Sequence, residues 1–296
     1  MYFTEKSIVF LNGGFLNARD CSVNLYSQSL HYGNAVFEGI KSYSTENGAK
    51  IFMGLEHFQR LKYSADKMSL KLNLSPEEML DATYELLEMN RFTDAYIRPL
   101  VYTGVDMSLK SSDEVNLFIC AWEWPPYLGE KLLRVTLSPF QRPNPNSSFV
   151  DAKIAGHYIN SILAVNEAKS RGYDEALLLD MNGNVAEGPG ANVFVEKDGK
   201  LFTPQKGHIL PGITRSVIIE LALSNQIEVV EKDITPAELK SADSAFFTGT
   251  AAEVVGMESM DEYTFPIKWE NSIGKMLKEQ YELIVRNKFD QSKRAM

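Results

Sequence analysis

With 296 residues, 44% of them hydrophobic and evenly spread, the chain is long enough for one large or two modest cores and lacks the make-up of a disordered protein. Its 30 Lys and Arg stand against 39 Asp and Glu, a net charge of −9, so no general positive field draws in a phosphate backbone and nucleic acid is not an expected partner. No stretch reaches membrane-spanning length, the N-terminal MYFTEKSIVFLNGGFL lacks the parts of an export signal, and only Cys21 and Cys120 are present, so a soluble protein of the reducing cytoplasm is expected.

The N-terminal part reads as short strands. IVFLNGGFL carries an Asn12-Gly13 hairpin signal, and AVFEGIKSY and AKIFMG flank a turn at Asn47-Gly48. Two helices follow. Leu55, Phe58, Leu61, Ala65 and Met68 recur at helical spacing, and Pro76 after Ser75 opens a second helix through Leu87. AYIRPLVYTG and VNLFICAWEW return to strand character and complete a domain of residues 1–124. Pro and polar residues cluster in WPPYLGE, which places an interdomain loop at 125–133, and again in SPFQRPNPNSS after the strand LLRVTLS. The larger second domain, 134–296, holds the helix INSILAVNEAKSR, closed by Gly172, and the strands EALLLD, NVAEG, NVFVEK and KLFTP with turns at Asn182-Gly183 and Asp198-Gly199. A helix from Thr214, the strand IEVVEKD, a short helix after Pro236 and the strand SAFFTG follow; beyond Glu253 only a terminal helix is expected. The pattern is an α+β fold of two domains with mixed sheets and helices.

Lys153 lies in DAKIAGHY among small and apolar residues, between a Pro/Asn/Ser-rich loop and a helix. Burial disfavours an ammonium ion and favours the neutral amine that attacks an aldehyde. The plain alternative is a surface lysine at a helix start. Tyr158 fits a hydroxyl partner for a phenolic oxygen, or a ring packed in the core. Glu187, just past the Asn182-Gly183 turn, fits a partner that keeps a pyridine nitrogen protonated, or a strand-end carboxylate in water. Gly212, Ile213 and Thr214 open a helix, where unpaired N–H groups and the helix dipole favour an anion, and Gly249, Thr250 and Ala251 form a second such turn. Arg60, on the helix of Phe58 and Leu61, offers a fork for phosphate or is a surface arginine. Two-residue alternation groups Tyr96, Arg98, Leu100 and Tyr102 on one strand face and Phe37, Gly39, Lys41 and Tyr43 on another, Gly39 leaving room for a ligand. Arg98 fits a substrate cation and a structural ion pair equally. His31, His57, His157 and His208 show no metal-ligand spacing, so no metal is expected.

In this order, LHYGNAVFEGI, EHFQRL, AYIRPL, DAKIAGHY, AEGPGANVF, LPGITR and TGTAAE resemble the branched-chain amino acid aminotransferases, which are pyridoxal 5'-phosphate (PLP) enzymes of fold type IV, the D-amino-acid aminotransferase-like fold. The likeness runs from about Phe10 to Glu253; no single motif is decisive, but their order and spacing are specific. It implies transamination of leucine, isoleucine or valine with 2-oxoglutarate in a ping-pong cycle. Lys153 matches the Schiff-base lysine, which also acts as the catalytic base. Tyr158 matches the partner of the cofactor's phenolic oxygen and Glu187 that of its pyridine nitrogen. Arg60, Ile213, Thr214 and Thr250 match phosphate contacts. Phe37, Gly39, Tyr96, Arg98, Tyr127, Thr250 and Ala251 match the substrate pocket, and Tyr32 matches a position that the family contributes from a neighbouring subunit. A homodimer, or an assembly of dimers, is therefore implied.

TGVDMSLKSSDE departs from the family's Gly-rich loop, which bears on side-chain preference, and Ala191 and His157 stand where relatives carry an acidic residue and asparagine. A D-amino-acid aminotransferase or aminodeoxychorismate lyase would keep the lysine and the phosphate residues but lack YIRPL with HYG and FEGI. A PLP-binding protein without turnover, or a lysine aldolase without PLP, are the readings from other classes; the second leaves both anion turns without a shared purpose.

Overall fold

The computed structural model describes residues 2–124, 128 and 131–288. The chain divides into two compact units, Met1–Pro125 with Ala152–His157, and Pro126–Asp151 with Tyr158–Met296. The loop expected at 125–133 lies mostly outside the described residues, and Tyr127 lies outside them. Lys153 departs from expectation. The sequence put it in the C-terminal domain, whereas Ala152–His157 belongs to the first unit, because Ala152 and Ile154 are buried in that unit's core.

The first unit runs β1 (Ile8–Leu11), β2 (Gly14–Asn17), α1 (Gln28–Tyr32), β3 (Ala35–Phe37), β4 (Ile40–Thr45), β5 (Gly48–Ile51), α2 (Gly54–Lys67), α3 (Pro76–Asn90), β6 (Ala95–Thr103) and β7 (Val115–Trp122). Its strands pair in the order β2-β1-β7-β6-β4-β5, with β3 also on β6. β3 and β4 are one strand in register, since Phe37 faces Leu100 and Ile40 faces Ile97. The interruption at Glu38 and Gly39 falls opposite Pro99, which has no N–H to give, although its carbonyl still accepts from Glu38 N–H at 3.0 Å. Alternation along β6 sends Ile97 and Val101 into a core with Phe58, Leu61, Met79 and Leu86 of the helices. Arg98, Leu100 and Tyr102 are left on the other face, in the wall of an apolar groove of about 700 Å³. α3 begins where local chemistry says it must: Ser75 and Glu78 form a reciprocal capping box with Pro76 in the first turn.

The second unit runs β8 (Leu133–Gln141), α4 (Tyr158–Ser170), β9 (Glu175–Leu179), β10 (Val185–Glu187), β11 (Asn192–Lys197), β12 (Lys200–Pro204), α5 (Ile213–Ser224), β13 (Val229–Lys232), α6 (Pro236–Leu239), β14 (Ser244–Gly249), β15 (Glu253–Met260), β16 (Tyr263–Thr264) and α7 (Ile273–Val285). β10 pairs with both β9 and β11, so the strands β10-β9-β8-β15-β14-β11 close on themselves, and Glu187 sits at the seam. Leu177, Val193, Val195, Phe247 and Met257 form the core of this unit. β15 was not expected from sequence. Gly256 and Glu258 interrupt its apolar run, yet it lies centrally between β8 and β14, and the Trp269 ring occupies the space a side chain at Gly256 would need. Among the described residues no helix is long and apolar enough to cross a membrane.

Candidate active site

In the first unit Lys153 sits on a short extended segment whose next residue, Ile154, bridges to Val36. The Lys153 carbonyl accepts from Phe37 N–H at 3.1 Å, and its N–H donates to the buried Ser64 Oγ at 3.0 Å. Its Nζ lies 5.1 Å from the centre of the Phe37 ring. With both backbone groups bound, β3 and α2 together fix the direction in which the amine leaves the chain. The turn after α1 presses on the same segment. Gly33, at φ +69°, comes so near that a Cβ there would lie 3.1 Å from Gly156 Cα.

Glu38, fully buried in the interruption between β3 and β4, is gripped from α2. Arg60 donates Nε to Oε1 at 2.6 Å and Nη2 to Oε2 at 2.9 Å, and His57 Nδ1 lies 2.8 Å from Oε2, where an ionised carboxylate makes the imidazole the donor. Burial works against charging Glu38, but Arg60 and His57 outweigh it and hold the carboxyl well below its ordinary range. Burial also lowers His57, more strongly than Glu38 raises it, and keeps the ring neutral at pH 7. Arg60 is therefore no surface arginine.

Arg98 is in a different setting. Its guanidinium lies 4.6 Å from the Phe37 ring centre and 5.4 Å from that of Tyr96, and Nη2 donates to the Tyr96 hydroxyl at 3.3 Å. Its buried Nε has no hydrogen-bond partner among the described residues. Gly39 makes room for this group, since a Cβ there would overlap the Tyr96 hydroxyl and come within 2.8 Å of its Cζ. Tyr96 in turn packs against Trp122 and Trp124, with ring centres 5.2 and 4.6 Å away. Tyr32 stands apart on the exposed end of α1, its hydroxyl donating to Met107 O at 3.2 Å. The loop that carries Met107 is fastened by Gln28, whose amide donates to Ser108 O (2.8 Å) and Lys110 O (2.7 Å) and accepts from Asn34 (2.9 Å) and Ser112 N–H (3.3 Å).

In the second unit the buried Glu187 carboxylate accepts from Asn192 Nδ2 at 2.9 Å and from Leu210 N–H at 3.2 and 3.3 Å. Arg142 Nε lies 2.7 Å from its Oε1, close enough for an ion pair but not aligned for a hydrogen bond. Glu187 is thus tied to the loop that leads into α5. That helix has Gly212 as its N-cap, with no side-chain hydrogen bond closing its first turn, so its leading N–H groups suit an anion. Asn192 and Thr248 lie opposite each other on β11 and β14, and the fully buried Thr248 Oγ1 has no hydrogen-bond partner among the described residues. Tyr158 is the first residue of α4; Thr250 and Ala251 form the turn after β14. Taken by itself, the first unit offers an amine suited to an aldehyde and a guanidinium suited to a phosphate; taken by itself, the second offers a buried carboxylate suited to a pyridine nitrogen and a helix start suited to a phosphate.

Residues 35–260 match the model of the family described as amino-transferase class IV. A branched-chain-amino-acid aminotransferase of Pseudomonas aeruginosa is 42% identical over 263 residues, covering 87% of this chain and 86% of the relative. The chain belongs to the branched-chain aminotransferases of class IV. Solved structures agree: the branched-chain aminotransferase of Thermoproteus uzoniensis with norvaline superposes with a TM-score of 0.92 at 36% identity, over 96% of both chains. That of Thermobaculum terrenum, in its PLP-bound holo-form, gives 0.91 at 30% identity, over 96% of this chain and 95% of the other. The fold is fold type IV and the cofactor is PLP.

Of the residues picked out in the sequence, the first unit of this aminotransferase carries Phe37, Gly39, Tyr96, Arg98 and Arg60 on β3, the interruption after it, β6 and α2, and holds Lys153 on the extended segment bonded to Phe37 and Ser64. The second unit links Glu187 to the approach to α5. Sequence reasoning missed Glu38, Ser64, Arg142 and Asn192. The signal for Ser64 was present, because His57, Arg60 and Ser64 share one side of a helix by their spacing.

Proposed function

We propose that the protein transfers the amino group of L-leucine, L-isoleucine or L-valine to 2-oxoglutarate, giving branched-chain 2-oxo acids and L-glutamate. The observation that carries this is Arg98. A partly buried cation with an unbonded Nε, set in a wall of Phe37 and Tyr96 and in the same unit as Lys153, suits both an aliphatic side chain and a second carboxylate. PLP, when bound, supplies an aldehyde that exchanges amino groups and a ring that accepts the electrons released at the substrate α-carbon. Lys153 Nζ would hold the cofactor between turnovers and would carry the proton taken from the substrate α-carbon, in one direction with the amino acid and in the other with the oxo acid. Glu187 would keep a proton on the pyridine nitrogen, and Arg142 Nε lies 2.7 Å from its Oε1. Tyr158 donates to the phenolic oxygen. Arg60 and the N–H groups of Ile213, Thr214 and Thr250 take the phosphate, and the turn at Thr250 and Ala251 takes the α-carboxylate.

The proposal includes self-association and a cytoplasmic setting. Leu25, Tyr26, Leu30 and Leu109, the last 90% exposed, form apolar surface on the segment that carries Tyr32 and on the loop beside it, and α4 exposes Ile159, Ile162 and Leu163. Pairing two copies through such surface would cover it and bring Tyr32 to a neighbour's pocket. Both cysteines are free, as suits a reducing compartment. The test is direct. L-leucine, D-alanine and L-phenylalanine are added separately to the holoenzyme and the visible cofactor band is followed. Loss of the band with L-leucine is expected, and a response to D-alanine alone overturns the substrate assignment. Lys153→Ala should abolish transamination with the fold unchanged; retained turnover refutes the assigned base.

A further inference from the structure

Glu38 places both carboxylate oxygens on α2, and nothing in the reaction described above uses it. We propose that Glu38 is the positioning residue for Arg60, fixing the guanidinium that receives the cofactor phosphate; this rests on the reading of Arg60 as a phosphate contact. The fork is bidentate, through Nε and Nη2, and a bidentate fork fixes both the plane and the direction of a guanidinium. Glu38 itself has little freedom. It is wholly buried, its N–H is bound to Pro99 O, and His57, one turn before Arg60 on α2, holds the same Oε2 from a second point.

The charges point the same way. An ionised Glu38 beside a neutral His57 leaves the Glu38–Arg60 pair with no net charge, which lets a cation only 12% exposed wait in place without an uncompensated burial cost. The pair also shares its frame with the amine. His57, Arg60 and Ser64 line one side of α2; Ser64 takes the Lys153 N–H, while Phe37, adjacent to Glu38, binds the Lys153 carbonyl. Guanidinium and amine are thereby referenced to one strand and one helix, and Glu38 is the side chain that joins the two elements. An ion pair serving only the fold would have no preference between cofactor forms; a positioning residue for the phosphate contact must have one.

The full-length chain, freed of cofactor, is titrated with PLP and with pyridoxal, which lacks the phosphate. Glu38→Gln should weaken PLP by about 10- to 100-fold, the range found when the outer partner of a ligand-orienting pair is removed, and should leave pyridoxal within about threefold. Glu38→Asp keeps the buried charge but is too short to span the fork, so it should give a smaller loss with the same selectivity, and it decides the matter if Glu38→Gln does not fold. Arg60→Lys should reproduce the PLP-selective loss, and Glu38→Gln should add nothing in its background. A selective Arg60→Lys beside a Glu38 variant that weakens both aldehydes alike, or neither, overturns the positioning role and leaves the phosphate contact standing. An Arg60→Lys that does not distinguish the two aldehydes removes the phosphate contact and the proposal with it.

Discussion

Arg60 on α2 and Arg98 on β6 lie in the same unit and are both largely enclosed, yet their surroundings are opposite. Arg60 is clasped by an ionised carboxylate through two nitrogens, and its charge is matched inside the fold. Arg98 leans on two aromatic rings and donates to the Tyr96 hydroxyl, and its Nε has no hydrogen-bond partner among the described residues. Aromatic faces attract a cation without neutralising it. A matched arginine is a part whose geometry is set in advance; an unmatched one keeps its charge for an acceptor that arrives. In the proposed function the difference suits Arg60 to a group that stays and Arg98 to one that comes and goes.

Removing the cation of Arg98 should have the greatest effect. Arg98→Ala should lower kcat/KM for 2-oxoglutarate by about 10- to 150-fold, equivalent to the roughly 1.5–3 kcal/mol of a hydrogen bond to a charged group. The loss with L-leucine should be clearly smaller, since its side chain offers nothing for a guanidinium to bind. Steady-state kinetics with each substrate varied in turn separates the two, and equal losses would contradict the role given to Arg98.

A smaller effect tests the wall on which Arg98 rests. In Gly39→Ala the new methyl meets the Tyr96 ring end, which Trp122 and Trp124 keep from retreating. Overpacking of this kind costs about 1–3 kcal/mol, readable as a lower urea midpoint. Tyr96→Phe in the same background removes the nearest atom and should recover part of the loss. No recovery would mean that the hydroxyl is not what Gly39 accommodates.

Much of this was legible in the sequence because it is local. Hairpin turns, the Ser75 cap and the alternation along AYIRPLVY each follow from a few neighbouring residues. Lys153 was assigned to the wrong side of the chain's division because its hydrogen-bond partners Phe37 and Ser64, and the Val36 that bridges to the next residue, lie about 90 or more residues earlier, beyond any local pattern. Glu38 was passed over for a related reason. In AVFEGIKSY it reads as one polar position of an alternating strand, whereas His57 and Arg60, which make its burial tolerable, are supplied by another element. Arg142 sat unnoticed in a Pro/Asn-rich loop, and its partner Glu187 is brought to it only by the pairing of β9, β10 and β11. Charged residues buried by distant partners are what one-dimensional reading loses first.

The smallest expected effect tests whether the matched cluster has the protonation states assigned to it. The folded-state values of both His57 and Glu38 are lowered, so in each case the unfolded chain binds a proton before the folded one does, and stability must fall as pH falls. The windows differ. His57 begins to cost stability below about pH 6.5, where a histidine in an unfolded chain protonates, and Glu38 adds its loss below about pH 4.3, where an unfolded glutamate does. At neutral pH and above both contributions are intact. His57→Gln should therefore flatten the upper window and leave the lower one, seen as the difference between wild-type and variant unfolding midpoints measured from about pH 8 down to about pH 4. Parallel profiles through the upper window would mean that His57 is already protonated when folded. Glu38 would then face two cations, and the neutral pairing that sets Arg60 apart from Arg98 would be lost.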